Sequence, residues 1–313
     1  MSRIAAMFPG QGSQKVGMGR DFVERHPQLL DRYFRRADEV LGFALTDLCF
    51  GGPEDALRQT ENTQPAIFVV SMAILDVLRS GGLEPDAAAG HSLGEYSALV
   101  CAGVLSFEDG LRLVRRRGEL MAGVNARTPG TMAAVIGLPP EGVEEICRAA
   151  RAAGGGIVEP ANYNEPDQTV ISGEADAVDA ACALAQDAGA DRVVRLQVGA
   201  PFHCSLMRDL RDTFAAELDR YAFSDPALPV VANVTGDYVH SADEVKDALR
   251  RQVAGSVRWT DTMRRLAADG CEEFVEVGPG RVLTGFSKKI NPGADVASAG
   301  EVRRVDTLLS KLG

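Results

Sequence analysis

The alternation of strand and helix patterns predicts an α/β protein: a large unit with a largely parallel sheet, interrupted by a small ferredoxin-like unit. Three observations carry this. Residues 1–127 and 199–313 alternate short apolar runs with helical spacings. Residues 128–198 between them read β-α-β-β-α-β. The chain has 313 residues, 45% hydrophobic and 25% charged, which suits a large core in a globular protein.

Ile4 to Phe8 reads as a buried strand, closed by the loop Pro9-Gly10-Gln11-Gly12-Ser13-Gln14. That loop has neither the Gly-Lys-Ser/Thr ending of a P-loop nor a Gly-x-Gly-x-x-Gly spacing, so it does not read as a phosphate cradle. Ala66 to Leu78 has helical apolar spacing, stopped by Gly81-Gly82. Asp86 to Ala89 is expected to be a strand, although three alanines are poor strand formers. Leu93 to Val104 reads as a helix of small apolar residues fit for burial. The next helix opens on Ser106-Phe107-Glu108-Asp109, with Ser106 as N-cap.

In the small unit, strands are expected at Thr131–Ile136, Ile157–Ala161, Thr169–Ile171 and Arg192–Val198, and helices at Pro140–Ala153 and Ala175–Ala188. Asn162-Tyr163-Asn164-Glu165-Pro166 reads as the loop of its hairpin. Gly199-Ala200-Pro201-Phe202-His203 leads into a helix from Cys204. A strand follows at Leu228–Val234, then helices at Asp243–Val253 and Asp261–Ala268, a strand at Glu273–Val277, the break Gly278-Pro279-Gly280 and a terminal helix.

Chemistry concentrates at three places. Gly90-His91-Ser92-Leu93-Gly94 has the Gly-x-Ser-x-Gly form of a nucleophile elbow, a strained strand-to-helix corner that lifts a serine hydroxyl into a cleft. It points to acyl transfer through an acyl-serine, to water or to another acceptor. On a helical wheel with Leu113 at zero, Leu120 and Val124 lie within about 20° and Arg117 at about 40°. Arg117 therefore sits inside an apolar stripe, while Arg112, Arg115 and Arg116 point elsewhere. A guanidinium buried there needs an anionic or strongly accepting partner: a structural Asp or Glu, or a ligand carboxylate beside the cleft, unless its stem snorkels to solvent. His203, between a strand end and a helix start, is placed for a site or for a structural bond.

Cys49, Cys101, Cys147, Cys182, Cys204 and Cys271 are scattered with no Cys-x-x-Cys pair, as expected of reduced thiols. With four histidines and no paired Cys/His spacing, a structural zinc site is not expected. The formal net charge of -11 argues against nucleic-acid partners. No apolar run in the pattern approaches the roughly 20 residues of a membrane span, and the N-terminal apolar stretch is too short for a signal peptide. No membrane association and a cytoplasmic location are therefore expected.

Taken in order, Phe8-Pro9-Gly10-Gln11-Gly12-Ser13-Gln14, Gly90-His91-Ser92-Leu93-Gly94-Glu95-Tyr96, Arg117-Gly118, Gly130-Thr131-Met132-Ala133-Ala134, Phe202-His203 and Val277-Gly278-Pro279-Gly280 resemble the malonyl-CoA:acyl carrier protein transacylase family from end to end. The resemblance implies an α/β-hydrolase-like large domain carrying the ferredoxin-like insertion. It implies that Ser92 is the nucleophile, His203 its base, and Gln11 and Leu93 the backbone donors of an oxyanion hole. Arg117 would bind the malonyl carboxylate, with Phe202 and Met121 also lining the substrate site, and the Gln252 carbonyl would orient His203. It further implies malonyl-CoA and holo acyl carrier protein as substrates, no metal or resident cofactor, and often a monomer. Phe202 resembles the residue of polyketide acyltransferases that select malonyl over an α-branched unit. An acyl hydrolase or an acyltransferase for another extender unit of a polyketide pathway is the rival reading. Arg281, Lys288 and Lys289 are a candidate basic patch for an acidic carrier.

Overall fold

The computed structural model describes residues 2–125, 129–154, 156–198 and 200–311. Its larger sheet has six strands: β1 (Arg3–Phe8), β2 (Ala87–Gly90), β7 (Val230–Ala232), β8 (Asp237–Val239), β9 (Cys271–Glu276) and β10 (Asp295–Ser298). They lie in the order β10-β9-β1-β2-β7-β8. All neighbours are parallel except β8, which returns antiparallel beside β7.

Both faces of this sheet are covered, as a parallel sheet requires. Along β1, Ala6 and Phe8 join the core on one face while Ala5 and Met7 join the core on the other. The period of two thus feeds two cores from one strand. The three alanines of β2 are all fully buried. Their small size, not strand propensity, explains the strand: helix α6 (Gly94–Cys101) packs directly on it.

Short helices α1 (Arg20–Arg25), α2 (Arg36–Leu41), α3 (Leu45–Gly51) and α4 (Glu54–Arg58) and a π-helical turn at Leu30–Arg35 precede the central helix α5 (Thr60–Ser80). That helix starts six residues earlier than its apolar spacing predicts and carries Pro65 inside it. Proline has no N–H for the carbonyl four residues back. Arg115 supplies the missing donor: its Nη1 gives a hydrogen bond to Glu61 O at 2.9 Å. At 21 residues α5 is long and apolar enough to cross a membrane, contrary to the expectation from the sequence, but 83% of its apolar window is buried inside the fold. It is a core helix. Helix α7 (Phe107–Asn125) packs along it and begins as expected, Asp109 N donating to Ser106 Oγ at 3.1 Å.

The second sheet is antiparallel and has four strands: β3 (Gly130–Ile136), β4 (Val158–Glu165), β5 (Gln168–Glu174) and β6 (Arg192–Arg195), in the order β4-β5-β3-β6. Helices α8 (Pro140–Ala152) and α9 (Ala175–Asp187) bury its own small core, which includes Val143, Ile171 and Val178. Residues 162–165, read from the sequence as loop, belong to β4. They pair with Gln168–Val170 of β5, so the hairpin turns more tightly than expected, and its outer edge gains a tertiary ladder: Val257 N donates to Ala161 O at 2.8 Å and Tyr163 N donates to Val257 O at 2.9 Å. This ladder also joins the small sheet to the large unit. Strand β6 ends at Arg195, three residues short of expectation, and residues 196–198 turn to line a cleft.

The helix expected from Cys204 opens as a 3-10 turn at Ser205–Met207 and continues as α10 (Arg208–Leu218). Helices α11 (Ala242–Gln252) and α12 (Trp259–Ala268) fall near their predicted places. The single terminal helix of the sequence reading is instead α13 (Val282–Ile290), the edge strand β10 and α14 (Val302–Leu309). In the basic cluster, Lys289 Nζ is committed to the buried Glu165 carboxylate at 2.6 Å, which ties α13 to β4. Arg281 and Lys288 stay exposed.

Candidate active site

Ser92 stands between β2 and α6 with φ 53°, in the left-handed region that side chains other than glycine seldom occupy. Glycine flanks it for a steric reason. A Cβ on Gly90 would strike the backbone of Gly94, and a Cβ on Gly94 would strike the carbonyl of Phe8. The first glycine loop is drawn to the same corner, since a Cβ on Gly10 would sit 2.5 Å from His91 O. This close approach brings the Gln11 backbone beside the start of α6. The N–H groups of Gln11 and Leu93 have no acceptor among the described residues, so both are available as donors where Ser92 opens on the cleft.

His203 Nε2 lies 2.7 Å from Ser92 Oγ. Its Nδ1 faces two backbone carbonyls, Gln252 O at 3.0 Å and Gly255 O at 3.1 Å. Carbonyl oxygens only accept, so the ring proton sits on Nδ1 and Nε2 is a bare acceptor for the serine proton. His203 has φ 59°, a second strained residue at the same point. Burial, reinforced by the positive charge of Arg117, pushes its pKa down to about 3. The imidazole therefore stays neutral through the physiological range and keeps its Nε2 lone pair.

Arg117 is 2% exposed. Its Nη1 donates to Gln64 Oε1 at 2.9 Å, and its Nη2 donates to Ser92 Oγ and Gln252 Oε1, each at 3.1 Å. Its Nε has no acceptor, and the guanidinium lies 5.6 Å from the Tyr96 ring centroid. No Asp or Glu among the described residues forms an ion pair with it. Of the readings open from the sequence, a snorkelling stem is ruled out by this burial, and a direct carboxylate partner is not what the described residues supply. The nearest acid works at one remove: Glu95 Oε2 accepts from Gln252 Nε2 at 2.7 Å. Burial raises the Glu95 carboxyl to about 7, opposed by its hydrogen bonds and by Arg117.

Ser92, Arg117 and His203 open onto one cleft of about 380 Å³, which Gln11, Leu93, Met121 and Phe202 also line. Gln252 is fully buried behind His203. All eight site residues singled out in the sequence thus converge on one place. The sequence assigns no role to Gln64 and Asn162, which also line the cleft, or to Glu95 and Asn233, which stand behind Ser92. Glu95 carried a legible signal: a lone carboxylate in a helix otherwise fit for burial. Asn233 carried another, as the one amide within the apolar run Leu228–Val234.

The arrangement provides a hydroxyl, a neutral proton acceptor, two N–H donors without an acceptor among the described residues, and a buried cation whose nearest acid, Glu95, reaches it only through Gln252. An acyl-transfer nucleophile and a carboxylate-bearing substrate are the chemistry it fits. Comparison with known proteins agrees. The model of the acyl transferase domain family matches residues 7–309. The malonyl CoA-acyl carrier protein transacylase of Escherichia coli strain K12 is 44% identical over 291 residues, 93% of each chain. That of Bacillus subtilis strain 168 is 42% identical over 291 residues, covering 93% of this chain and 91% of its own. Among solved structures, a malonyl-transacylase in complex with a type II PKS acyl-carrier protein superposes with a TM-score of 0.95 at 41% identity, covering 99% of this chain and 100% of the other. An acyl carrier protein S-malonyltransferase from Vibrio cholerae gives 0.93 at 43% identity, covering 98% and 100%. The chain belongs to the acyl transferase domain family and, within it, to the malonyl CoA-acyl carrier protein transacylases.

Proposed function

We propose that this protein moves a malonyl group from malonyl-CoA to the phosphopantetheine thiol of an acyl carrier protein, by a ping-pong cycle through malonyl-Ser92. The observation that carries the reading is the position of Ser92 Oγ, 2.7 Å from the bare Nε2 of His203 and 3.1 Å from Arg117 Nη2.

In the first half, the malonyl carboxylate pairs with Arg117. Ser92 Oγ attacks the thioester carbon as its proton passes to His203 Nε2. The carbonyl oxygen becomes an oxyanion facing the N–H groups of Gln11 and Leu93. Collapse breaks the C–S bond, and CoA leaves as thiol with the proton from His203. In the second half, the carrier thiol gives its proton to His203 and attacks the ester carbon. Collapse releases Ser92, which recovers the proton. Gln252 O and Gly255 O hold the imidazolium proton on Nδ1 throughout, the place an aspartate takes in many serine hydrolases. Side chains and backbone supply the nucleophile, base and countercharges, so the cycle calls on no metal or resident cofactor.

The finer description of the fold belongs to the same reading. The β-α-β-β-α-β order of the small unit, with its strand order β4-β5-β3-β6, supports a ferredoxin-like insertion. The elbow between β2 and α6 supports an α/β-hydrolase-like large domain. A cytoplasmic site of action fits substrates that are cytoplasmic thioesters.

The test is incubation with malonyl-CoA, with and without holo carrier protein, followed by the intact mass of both proteins. Transfer predicts malonyl on the enzyme alone and then on the carrier. Free malonate without carrier malonylation would make the protein a hydrolase.

Two further outcomes follow from the site. Phe202 is buried and lines the cleft. Phe202→Ser should raise turnover of methylmalonyl-CoA relative to malonyl-CoA in competition assays. Room for one methyl is worth only about 1–3 kcal/mol, so the change is modest; an unchanged ratio would leave Phe202 as packing. The depressed pKa of His203 makes a pH prediction. The rate constant of Ser92 phosphonylation by a small fluorophosphonate should stay flat between pH 8 and pH 5 and fall only as pH approaches the His203 value of about 3. A histidine at the ordinary 6.5 would already lose about thirtyfold at pH 5. A midpoint near 6.5 would show that His203 is solvated in solution.

A further inference from the structure

The strain at Ser92 needs something to hold it. A non-glycine residue held in the left-handed region is strained and persists only where its surroundings fix it. On one side the support is ordinary, since His91 N donates to Phe8 O of β1 at 2.9 Å. On the other side β7 ends at Ala232, one residue too early.

Strands β2 and β7 pair in parallel with Ala88 opposite Val230 and Ala89 opposite Val231. Continued two places, that register sets Asn233 opposite His91. In a parallel ladder, a residue opposite position i donates to the carbonyl of i−1 and accepts from the N–H of i+1. Those groups are Gly90 O and Ser92 N. The side chain of Asn233 meets both: Nδ2 donates to Gly90 O at 2.6 Å, and Oδ1 accepts from Ser92 N at 2.6 Å. Its main chain has meanwhile left the ladder, with Asn233 N donating to Glu95 Oε2 at 3.2 Å and Asn233 O accepting from Arg258 N at 2.9 Å. Asn233 is fully buried, so water does not compete for these bonds.

We propose that Asn233 is a positioning residue for the nucleophile, its side-chain amide standing in for a backbone peptide and extending the β2–β7 ladder by one rung to clamp Ser92. This rests on the reading of Ser92 as nucleophile. The clamp has a second consequence. By occupying the Ser92 N–H it leaves the N–H of Leu93 as the elbow's donor toward the cleft.

The test compares Asn233→Leu, which removes both bonds at similar volume, with Asn233→Asp, which keeps an acceptor for Ser92 N but turns a second oxygen toward Gly90 O. Four quantities are measured on full-length protein: Tm, the single-turnover rate constant of Ser92 malonylation, the malonyl-CoA concentration at half-saturation, and the rate of Ser92 phosphonylation by a small fluorophosphonate. A displaced nucleophile costs about 10²-fold per ångström. Asn233→Leu should slow malonylation and phosphonylation by the same roughly 10- to 100-fold, with half-saturation changed less than about threefold. Asn233→Asp should fall between it and the wild type. A merely structural role would lower Tm and leave both rates per folded molecule unchanged. Rates within about threefold of wild type in the folded variants, or a half-saturation that moves as much as the rate, would overturn the clamp. If Asn233→Leu does not fold, the same criteria apply to Asn233→Asp. Wild-type protein that is phosphonylated at Ser92 but refuses malonyl-CoA would instead overturn the transacylase reading and leave the clamp standing.

Discussion

Ser92→Ala is expected to carry no malonyl adduct after incubation with malonyl-CoA. The reason is positional. Ser92 Oγ is the hydroxyl placed against His203 Nε2, and the thiol beside that histidine is not placed to take its role. Cys204, the sulfur next in sequence to His203, is buried, donates to Pro201 O and has its pKa raised to about 11 by burial. It is a poor thiolate at neutral pH. His203→Ala should still acylate, but slower by on the order of 10²–10⁴-fold, the range for loss of a general base. Intact mass and peptide mapping report both. An adduct on the Ser92→Ala protein would place the nucleophile elsewhere.

Arg117→Ala should lose activity on malonyl-CoA far more than on acetyl-CoA. Arg117 also donates to Ser92 Oγ and Gln252 Oε1, so some loss on both substrates is expected. The ratio is the informative quantity. Removing one partner of a desolvated charge pair costs about 2–4 kcal/mol, so the malonyl-to-acetyl ratio of kcat/KM should fall roughly 30- to 1000-fold. Arg117→Lys should recover only part of it, because an ammonium cannot reproduce a planar, two-pronged contact. The burial of Arg117 among neutral acceptors, with no carboxylate among the described residues paired to it, is the basis for this expectation. Equal losses on the two substrates would make Arg117 a support for Ser92 and Gln252 alone.

Much of this site was legible in the chain. The elbow motif, the apolar stripe around Arg117 and the strand-to-helix position of His203 each follow from local rules of spacing and sterics. The small unit is legible because its alternation of elements is regular, although its hairpin strands run closer to the turn than the sequence predicts. Asn162 to Glu165 look like loop because Asn162, Asn164 and the following Pro166 are turn formers; they pair with Gln168–Val170 of β5 across a tighter turn, and the further bridge from Asn162 to Val257, 95 residues away, leaves no local trace. The early start of α5 is hidden for a similar reason: Pro65 reads locally as a helix stop, and the donor that satisfies the carbonyl it leaves free, Arg115, lies on another helix. The one-residue reach of Asn233 past the end of β7 depends on register between two strands, which neither strand alone encodes. What sequence reasoning read well was periodic or motif-bound; what it missed was set by partners distant along the chain.

The most direct test is a two-step transfer with the intermediate isolated. The enzyme is incubated with malonyl-CoA, freed of CoA by gel filtration, mapped, and then mixed with holo carrier protein in a quenched-flow instrument. The cycle proposed for Ser92 predicts malonyl on the Ser92 peptide, and its loss matched one for one by malonyl-carrier at a rate no slower than steady turnover. A malonyl-Ser92 that survives the carrier while turnover proceeds, or an adduct that maps to another residue, would contradict it.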